Sequence, residues 1–368
     1  MRLAFALEYS LGHTTHAENL KAALSAMGDA DLETRYLDLP YNETPLPIPW
    51  GLVRPLRENW SVRASAAAAR GMKEWTDCDV AFFHTQVTSL FSVDYMRRVP
   101  SIVSLDATPL QIDDLGAGYG HPVNSGPVEA LKRRIHLRAF HAARGLVAWS
   151  EWAKASLVRD YGIDAARVAV IPPGIDVDLW KFDRPAKIDG APVRALFVGG
   201  DFERKGGSAL LEAFRRARRI CPNIELDIVT RARGIADGEE GVRVHAGLTP
   251  NCPELIDLYA RADLFVFPTI ADCLPLAIME ALSAGLPVIS TDVAAIPEAV
   301  RHECEGLIVS KCRLADIGDA LVRLAGDEAL RRAMSVSARS VAEARFSAAR
   351  NYGELISLLT RTARGQWP

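Results

Sequence analysis

Short apolar segments alternate with longer amphipathic segments along the first half of the chain. The apolar runs are bounded by turn residues, a pattern typical of buried strands in a parallel sheet. The strands predicted in this half are Arg2–Ala6, Thr34–Leu37, Val80–Phe83, Ile102–Leu105, Leu146–Trp149 and Val168–Ile171. Helices are predicted between them, for example over Ala17–Met27 and Lys154–Tyr161. The alternation predicts a doubly wound α/β domain of the nucleotide-binding type, although the glycine fingerprint of dinucleotide folds is absent.

The same alternation repeats in the second half, from Arg194 to about Val309, after a linker at 176–191 that contains Pro and Asp. A chain of 368 residues is also too long for one ordinary hydrophobic core. Residues 313–364 have a helical pattern. We therefore predict an α/β fold with two domains, at 1–175 and 176–345, and a C-terminal helix at 346–368.

The segment Phe265–Thr291 carries the strongest chemical signal. It predicts a strand, a turn, an apolar helix over Leu274–Ala284 and a second strand. Asp272 and Glu280 lie eight residues apart around the start of this helix. A carboxylate on such an apolar helix needs a hydrogen-bonding partner, for which a ligand hydroxyl is suitable, and the free N–H groups at the helix start suit a phosphate. The alternative is that Asp272 only caps the helix and Glu280 faces water.

These two acids resemble the E-x(7)-E signature of retaining GT-B glycosyltransferases of the family-four, or "group 1", class. The resemblance implies two Rossmann-like domains facing across a cleft, with the last helix crossing back to the first domain. It also implies that Asp272 contacts the donor sugar and that Glu280 binds the ribose hydroxyls. The helix start, which would hold the diphosphate, comprises Cys273, Leu274, Pro275 and Leu276.

Other segments of the second half resemble the same family. Ile171–Trp180 is similar to its turn at the domain junction, and Ala195–Gly207 to its G-R-x(4)-K-G turn, which clamps the donor pyrophosphate. Lys205 matches the Lys of that motif, whereas Gly200 stands where Arg is usual, so Arg204 is expected to substitute. A turn of this kind also often serves only as a corner between strand and helix. His245 lies in the segment Val244–Leu248, which resembles the strand end that approaches the base.

Candidates in the first half follow from strand ends, because open parallel sheets bind ligands at the carboxyl ends of their strands. The loop at 8–16 contains Gly12, which the family resemblance implies passes under the donor, and His13 and His16, expected near the acceptor or donor. Asp106 stands where the family usually has His, and is a candidate base or charge-stabilising group. His84 and His121 are further acceptor-side candidates. The alternatives are solvated turn histidines and an Asx turn of Asp106 with Thr108 and Pro109.

Composition narrows the functional classes. The net charge of −3 argues against nucleic-acid binding. The six cysteines lack metal-site spacing, so we expect them to be reduced thiols in the cytoplasm. No membrane-spanning segment is predicted. The Asp-x-Asp triplets are interpreted as chance matches, so neither a metal nor a cofactor is expected. The basic helix at 128–144 is interpreted as a solvated face packed on the core; the alternative is peripheral contact with anionic lipid at the inner membrane face.

Together these features predict a metal-independent retaining glycosyltransferase that moves a sugar from a nucleotide diphosphate sugar to an acceptor hydroxyl. The acceptor is a glycan, a lipid or a small molecule, and Asp106, Asp272 and Lys205 are the candidate catalytic residues. Two other classes remain open. One is a GT-B sugar-nucleotide epimerase, and the other is a catalytically silent GT-B domain that serves as a binding partner or scaffold.

Overall fold

The computed structural model describes residues 1–10, 12–41, 59–119, 126–183, 190–236 and 238–367. The chain divides into two compact units. Unit 1 comprises Met1–Gly116, His121–Gly174 and Ala348–Pro368, and unit 2 comprises Ala117–Gly120 and Ile175–Ser347. Within unit 2, Gly118 packs against Ala271, and the domain bounds predicted from the sequence stay a prediction.

The strands are β1 (Arg2–Tyr9), β2 (Glu33–Pro40), β3 (Val80–His84), β4 (Ser101–Leu105), β5 (Gly145–Ala148), β6 (Val168–Val170), β7 (Val193–Val198), β8 (Ile224–Val229), β9 (Val242–His245), β10 (Leu264–Phe267), β11 (Val288–Thr291) and β12 (Gly306–Val309). The helices are α1 (His13–Met27), α2 (Trp60–Met72), α3 (Gln86–Ser89), α4 (Val93–Met96), α5 (Pro109–Asp114), α6 (Gly126–Ala142), α7 (Glu151–Arg159), α8 (Gly207–Ile220), α9 (Pro253–Arg261), α10 (Leu276–Ser283), α11 (Ile296–Ala299), α12 (Asp316–Gly326), α13 (Glu328–Arg345) and α14 (Ala348–Ala363).

In the described part of unit 1, six parallel strands form a sheet in the order β2-β1-β3-β4-β5-β6. β3, β4 and β5 are buried along their whole length, as expected for strands covered on both faces. The chain moves to one side of β1 for β2 and to the other side for β3. This reversal places the ligand-binding position of such a sheet at the carboxyl ends of β1 and β3.

The described part of unit 2 contains a second parallel sheet of six strands, in the order β12-β11-β10-β7-β8-β9. Here the strand order reverses between β7 and β10. The carboxyl ends of those two strands are therefore where a ligand is expected. The two doubly wound α/β halves predicted from the sequence are confirmed.

The last helix, α14, belongs to unit 1. Its apolar face, including Tyr352, Leu355 and Leu359, packs in one core cluster with Phe5 of β1 and Phe82 of β3. The period of 3.6 residues per turn explains this burial, because it places Tyr352, Leu355 and Leu359 on one face of the helix. The predicted return of the C-terminal helix to the first domain is confirmed.

Candidate active site

A cation–carboxylate cluster lies at the strand reversal of unit 2. Asp272 follows β10 and Lys205 follows β7, and these strands are paired neighbours. Nζ of Lys205 donates a hydrogen bond to Oδ2 of Asp272 and lies 4.9 Å from the ring centroid of Phe267. Burial lowers the pKa of Lys205, while the Asp272 carboxylate opposes that change. The topology therefore brings together two candidates that are 67 residues apart in sequence.

Arg204 is fixed by the protein more firmly than the sequence suggested. The residue is only 7% exposed, and its guanidinium donates to Ala271 O at 2.7 Å and to Asp201 Oδ2 at 3.1 Å. Its Nη1 lies 3.6 Å from Oδ2 of Asp272. These contacts hold the turn that presents Asp272. The expected role of Arg204 as a clamp on the donor pyrophosphate stays a prediction.

Glu280 is buried on α10 and is only 6% exposed, so the alternative that it faces water is wrong. Its Oε2 accepts a hydrogen bond of 3.0 Å from the hydroxyl of Tyr259. The Tyr259 ring stacks on Phe265, with centroids 5.7 Å apart, and meets Trp180 edge-on at 4.8 Å. Burial raises the pKa of Glu280 to about 7, and the Tyr259 hydrogen bond partly offsets this rise. A carboxylate held in this way titrates near neutrality.

The start of α10 presents backbone donors. Pro275 precedes the first helical residue, Leu276, and no side chain among the described residues caps this end. Asp272 therefore does not cap the helix, which corrects the other part of that alternative. Cys273 and Leu274 are buried, and the carbonyl of Cys273 accepts a 3.1 Å hydrogen bond from the Ala295 N–H. An uncapped helix start of this type binds anions through its N–H groups and the helix dipole.

Glycines shape the turn between β7 and α8. Gly206 has a φ of 80°, and a Cβ at this position would lie 2.0 Å from the carbonyl oxygen of Pro268. Only glycine accommodates both the left-handed backbone and this close approach. Gly200, at the end of β7, is approached by the side chain of Arg231. Sequence reasoning did not single out Arg231, because no motif marks it.

His245 ends β9, beside β8. Its Nε2 lies 2.8 Å from Oδ1 of Asp227, and the side chain is 30% exposed. Arg243 also donates to Asp227, at 3.2 Å. The carboxylate therefore orients the imidazole, with its other nitrogen available as a polar group at this end of the sheet.

The first-half candidates converge at the carboxyl ends of β1, β3, β4 and β5. The rings of His16 and His84 lie 4.4 Å apart, and His84 stacks on Trp149 at 5.5 Å with an interplanar angle of 6°. The ring of His13 lies 5.0 Å from that of His84. Nε2 of His13 is 3.9 Å from Oδ2 of Asp106. The structure thus unites four candidates in one cluster of unit 1.

Burial keeps two of these histidines neutral. It lowers the pKa of His16 to about 3 and that of His84 well below its usual value, with the neighbouring histidines adding to the effect. Within the part of the chain that the structure describes, neither ring nitrogen of His84 has a hydrogen-bond partner, and the same holds for Nε2 of His16. Nδ1 of His16 lies 3.2 Å from the hydroxyl of Tyr352 on α14. His16 and His84 are therefore the aromatic, uncharged members of this cluster.

One feature of this region differs from the sequence predictions. His13 and His16 lie on α1, which begins directly after Gly12, so the two histidines are held by a helix instead of a free loop. Gly12 is exposed, and a Cβ there would meet no atom of the described residues within 4 Å. The Thr108 side chain caps α5 by accepting a hydrogen bond from the Gln111 N–H, and the predicted roles of Gly12 and Asp106 stay predictions. His121 lies outside the described residues.

Sequence reasoning also missed a buried acidic network beside this cluster. Glu8, at the end of β1, accepts hydrogen bonds from the Trp60 indole at 2.7 Å and from the Thr85 hydroxyl at 2.5 Å. The Ser10 hydroxyl is a third donor. These bonds fix the ends of β1 and β3 next to α1. The signal available in the sequence was a glutamate directly after an apolar run, but this signal does not indicate which side chains bond to it.

Among the described residues, no group of three or more His, Cys, Asp or Glu side chains is placed to hold a metal ion. The expected independence from metal stays a prediction. None of the described helices has the length and apolar character needed to cross a membrane.

Two Rossmann-like units, the second with a cation–carboxylate cluster at its strand reversal, define the GT-B class of fold. Two family profiles match the chain: "Glycosyltransferase Family 4" over residues 12–179 and "Glycosyl transferases group 1" over residues 192–327. The chain belongs to this group 1, family-four glycosyltransferase family. The family resemblance predicted from the sequence is confirmed.

Curated relatives include D-inositol 3-phosphate glycosyltransferases. The protein from Pseudarthrobacter chlorophenolicus is 29% identical over 232 residues, covering 57% of this chain and 55% of the relative. The one from Nocardia farcinica is 32% identical over 209 residues, covering 51% and 46%. The chain thus spans about half the length of the curated relatives it matches.

Similar solved structures cover nearly the whole chain. Sucrose-phosphate synthase from Thermosynechococcus elongatus has a TM-score of 0.77 at 16% identity, covering 99% of both chains. Anabaena HepE, solved in complex with UDP and glucose, has a TM-score of 0.69 at 15% identity, covering 98% of this chain and 99% of the other. At such identities the likeness shows the GT-B fold alone.

Proposed function

We propose that this chain is a retaining glycosyltransferase that moves a sugar from a nucleotide diphosphate sugar to an acceptor hydroxyl. The observation that carries the proposal is the arrangement at the strand reversal of unit 2. The Lys205–Asp272 pair lies there, and α10, which follows Asp272 in the chain, has an uncapped start and carries the buried Glu280. These groups are chemically suited to bind the diphosphate, the sugar and the ribose of one ligand.

Each group has a distinct role in the proposed donor site. Glu280, when ionised, accepts hydrogen bonds from the ribose hydroxyls. Lys205 and the N–H groups at the start of α10 bind the diphosphate and offset its charge as it leaves. Asp272 contacts the donor sugar, and its bond to Lys205 holds both side chains in position before the ligand arrives. His245 lies on the base side.

In unit 1, Asp106 is the proposed polar group at the reacting centre. Its side chain is 18% exposed, and Nε2 of His13 lies 3.9 Å from its Oδ2. Asp106 then accepts the acceptor proton or stabilises developing positive charge. His16 and His84 are too deeply buried to serve as its equivalents and instead support this end of the sheet. No step requires a metal ion.

The first experiment separates this proposal from its two competitors. The purified chain is incubated with radiolabelled UDP-, GDP- and ADP-sugars and with glycan, lipid and small-molecule acceptor fractions. UDP-sugars are the first choice because Anabaena HepE was solved with UDP. Transfer or slow hydrolysis of the label supports a glycosyltransferase. Conversion to an epimeric nucleotide sugar indicates an epimerase, and unchanged donors indicate a silent domain.

A membrane-facing acceptor is favoured by one feature of α6. Val128 and Leu131 are 50% and 59% exposed, next to the exposed Arg134 and Arg138. Such a surface suits anionic lipid headgroups. We expect the protein to sediment with vesicles containing anionic lipid but not with neutral vesicles. The control is a Val128→Ser/Leu131→Ser variant, which should lose this preference for anionic vesicles. Equal binding of the unaltered protein to both vesicle types would contradict the proposal.

A further inference from the structure

A turn of two consecutive glycines, Gly199 and Gly200, follows β7 at the carboxyl edge of the unit 2 sheet. Two cationic side chains approach it. A Cβ at Gly199 would lie 3.0 Å from both Cβ and Cγ of Lys205, and a Cβ at Gly200 would lie 2.8 Å from Nε of Arg231 and 3.0 Å from its Nη2. The guanidinium of Arg231 thus occupies the space that a side chain at position 200 would need.

The sheet register explains how Arg231 reaches this turn. β8 is the parallel neighbour of β7, with Val198 opposite Val229. The N–H of Gly199 donates to the carbonyl of Val229 at 2.8 Å, so the two strand ends are level. Arg231 follows two residues after Val229, at the same edge as Lys205. It is exposed, whereas the guanidinium of Arg204 is buried in hydrogen bonds to the protein.

We propose that Arg231 and Lys205, on either side of the Gly199–Gly200 turn, bind the diphosphate of the nucleotide donor together. This inference rests on the proposed function. A planar guanidinium forms paired, charge-assisted hydrogen bonds with phosphate oxygens, and the ammonium of Lys205 adds a point charge. Glycine at position 200 gives the guanidinium its place, because any larger residue would displace it. Arg231 is therefore a donor-binding residue supplied by a different strand from Lys205.

The test is calorimetric titration with UDP, GDP and ADP and with the matching nucleosides. Arg231→Ala should weaken nucleoside diphosphate binding about tenfold or more while changing nucleoside binding less than about twofold. Arg233→Ala, an exposed neighbour two residues away, is the matched control and should change neither. In Gly200→Arg/Arg231→Ala, a guanidinium returns to the same space from β7. This double variant should recover most of the lost diphosphate affinity.

The outcomes separate this inference from the proposed function. Unchanged diphosphate binding in Arg231→Ala, equal losses for diphosphate and nucleoside, or no recovery in the double variant would overturn the role of Arg231. Lys205→Ala serves as the parallel arm. A selective diphosphate loss in Lys205→Ala beside a normal Arg231→Ala would overturn only this inference, whereas no nucleotide binding by the unaltered protein would overturn the proposed function. Unchanged melting temperatures exclude misfolding as the cause.

Discussion

Replacing Glu280 with Gln should change how stability depends on pH. Glu280 is buried, and its pKa is raised from 4.5 to about 7. Because the folded protein holds this proton more tightly than the unfolded chain, the resulting stabilisation is complete below about pH 4.5 and is lost as the pH rises through 7. A shift of this size corresponds to about 3 kcal/mol. Glutamine has the same shape and can accept the Tyr259 hydrogen bond, but it does not titrate.

The assay is urea unfolding of both proteins between pH 4.5 and 8.5 at constant ionic strength. We expect the free energy of unfolding of Glu280→Gln, minus that of the unaltered protein, to increase by about 3 kcal/mol across this range. Glu212→Gln, an exposed change on α8 of the same unit, should give a flat difference. A flat difference for Glu280→Gln as well would refute the reasoning, because the carboxyl would then not be held in a desolvating site.

Three other substitutions test separate parts of the account. Lys205→Met should weaken nucleoside diphosphate binding roughly 10- to 100-fold in calorimetry with little effect on nucleoside binding. The exposed Lys311→Met should change neither affinity. Equal losses of affinity for the two ligands would mean that the turn at Lys205 only connects β7 to α8. Asp106→Asn should lower turnover about 100-fold with donor affinity nearly intact, and near-normal turnover beside an inactive His13→Ala would transfer the role to His13. Gly206→Ala should cost about 3 kcal/mol in urea unfolding, because its Cβ would overlap the Pro268 carbonyl in a left-handed backbone; a cost below about 1 kcal/mol would contradict this.

The fold could be predicted from the sequence because its signals are local. A buried parallel strand such as β3 is an apolar run bounded by turn residues, and its burial follows from the composition of the run itself. The start of α1 was harder to predict. The polar sequence from His13 to His16 has little helical periodicity, yet it forms the first helical turn directly after Gly12.

The partners within the site could not be predicted, because they depend on strand order. Tyr259 reaches Glu280 from a different helix, and Arg231 reaches Gly200 from a different strand. No periodicity in the sequence connects these positions. The contacts of Arg204 show the same limit. Its adjacency to Lys205 suggested a basic pair, but the Ala271 carbonyl that holds it is supplied by a distant turn.

Calorimetric titration of the unaltered protein and of Glu280→Ala with UDP, GDP and ADP tests the central claim most directly. That claim is that the strand reversal of unit 2 binds the donor nucleotide, with Glu280 on the ribose. The account predicts that at least one nucleotide binds the unaltered protein and that Glu280→Ala weakens it by about 1.5–3 kcal/mol, or roughly 10- to 150-fold. Equal affinity in the two proteins, with both folded, would contradict it.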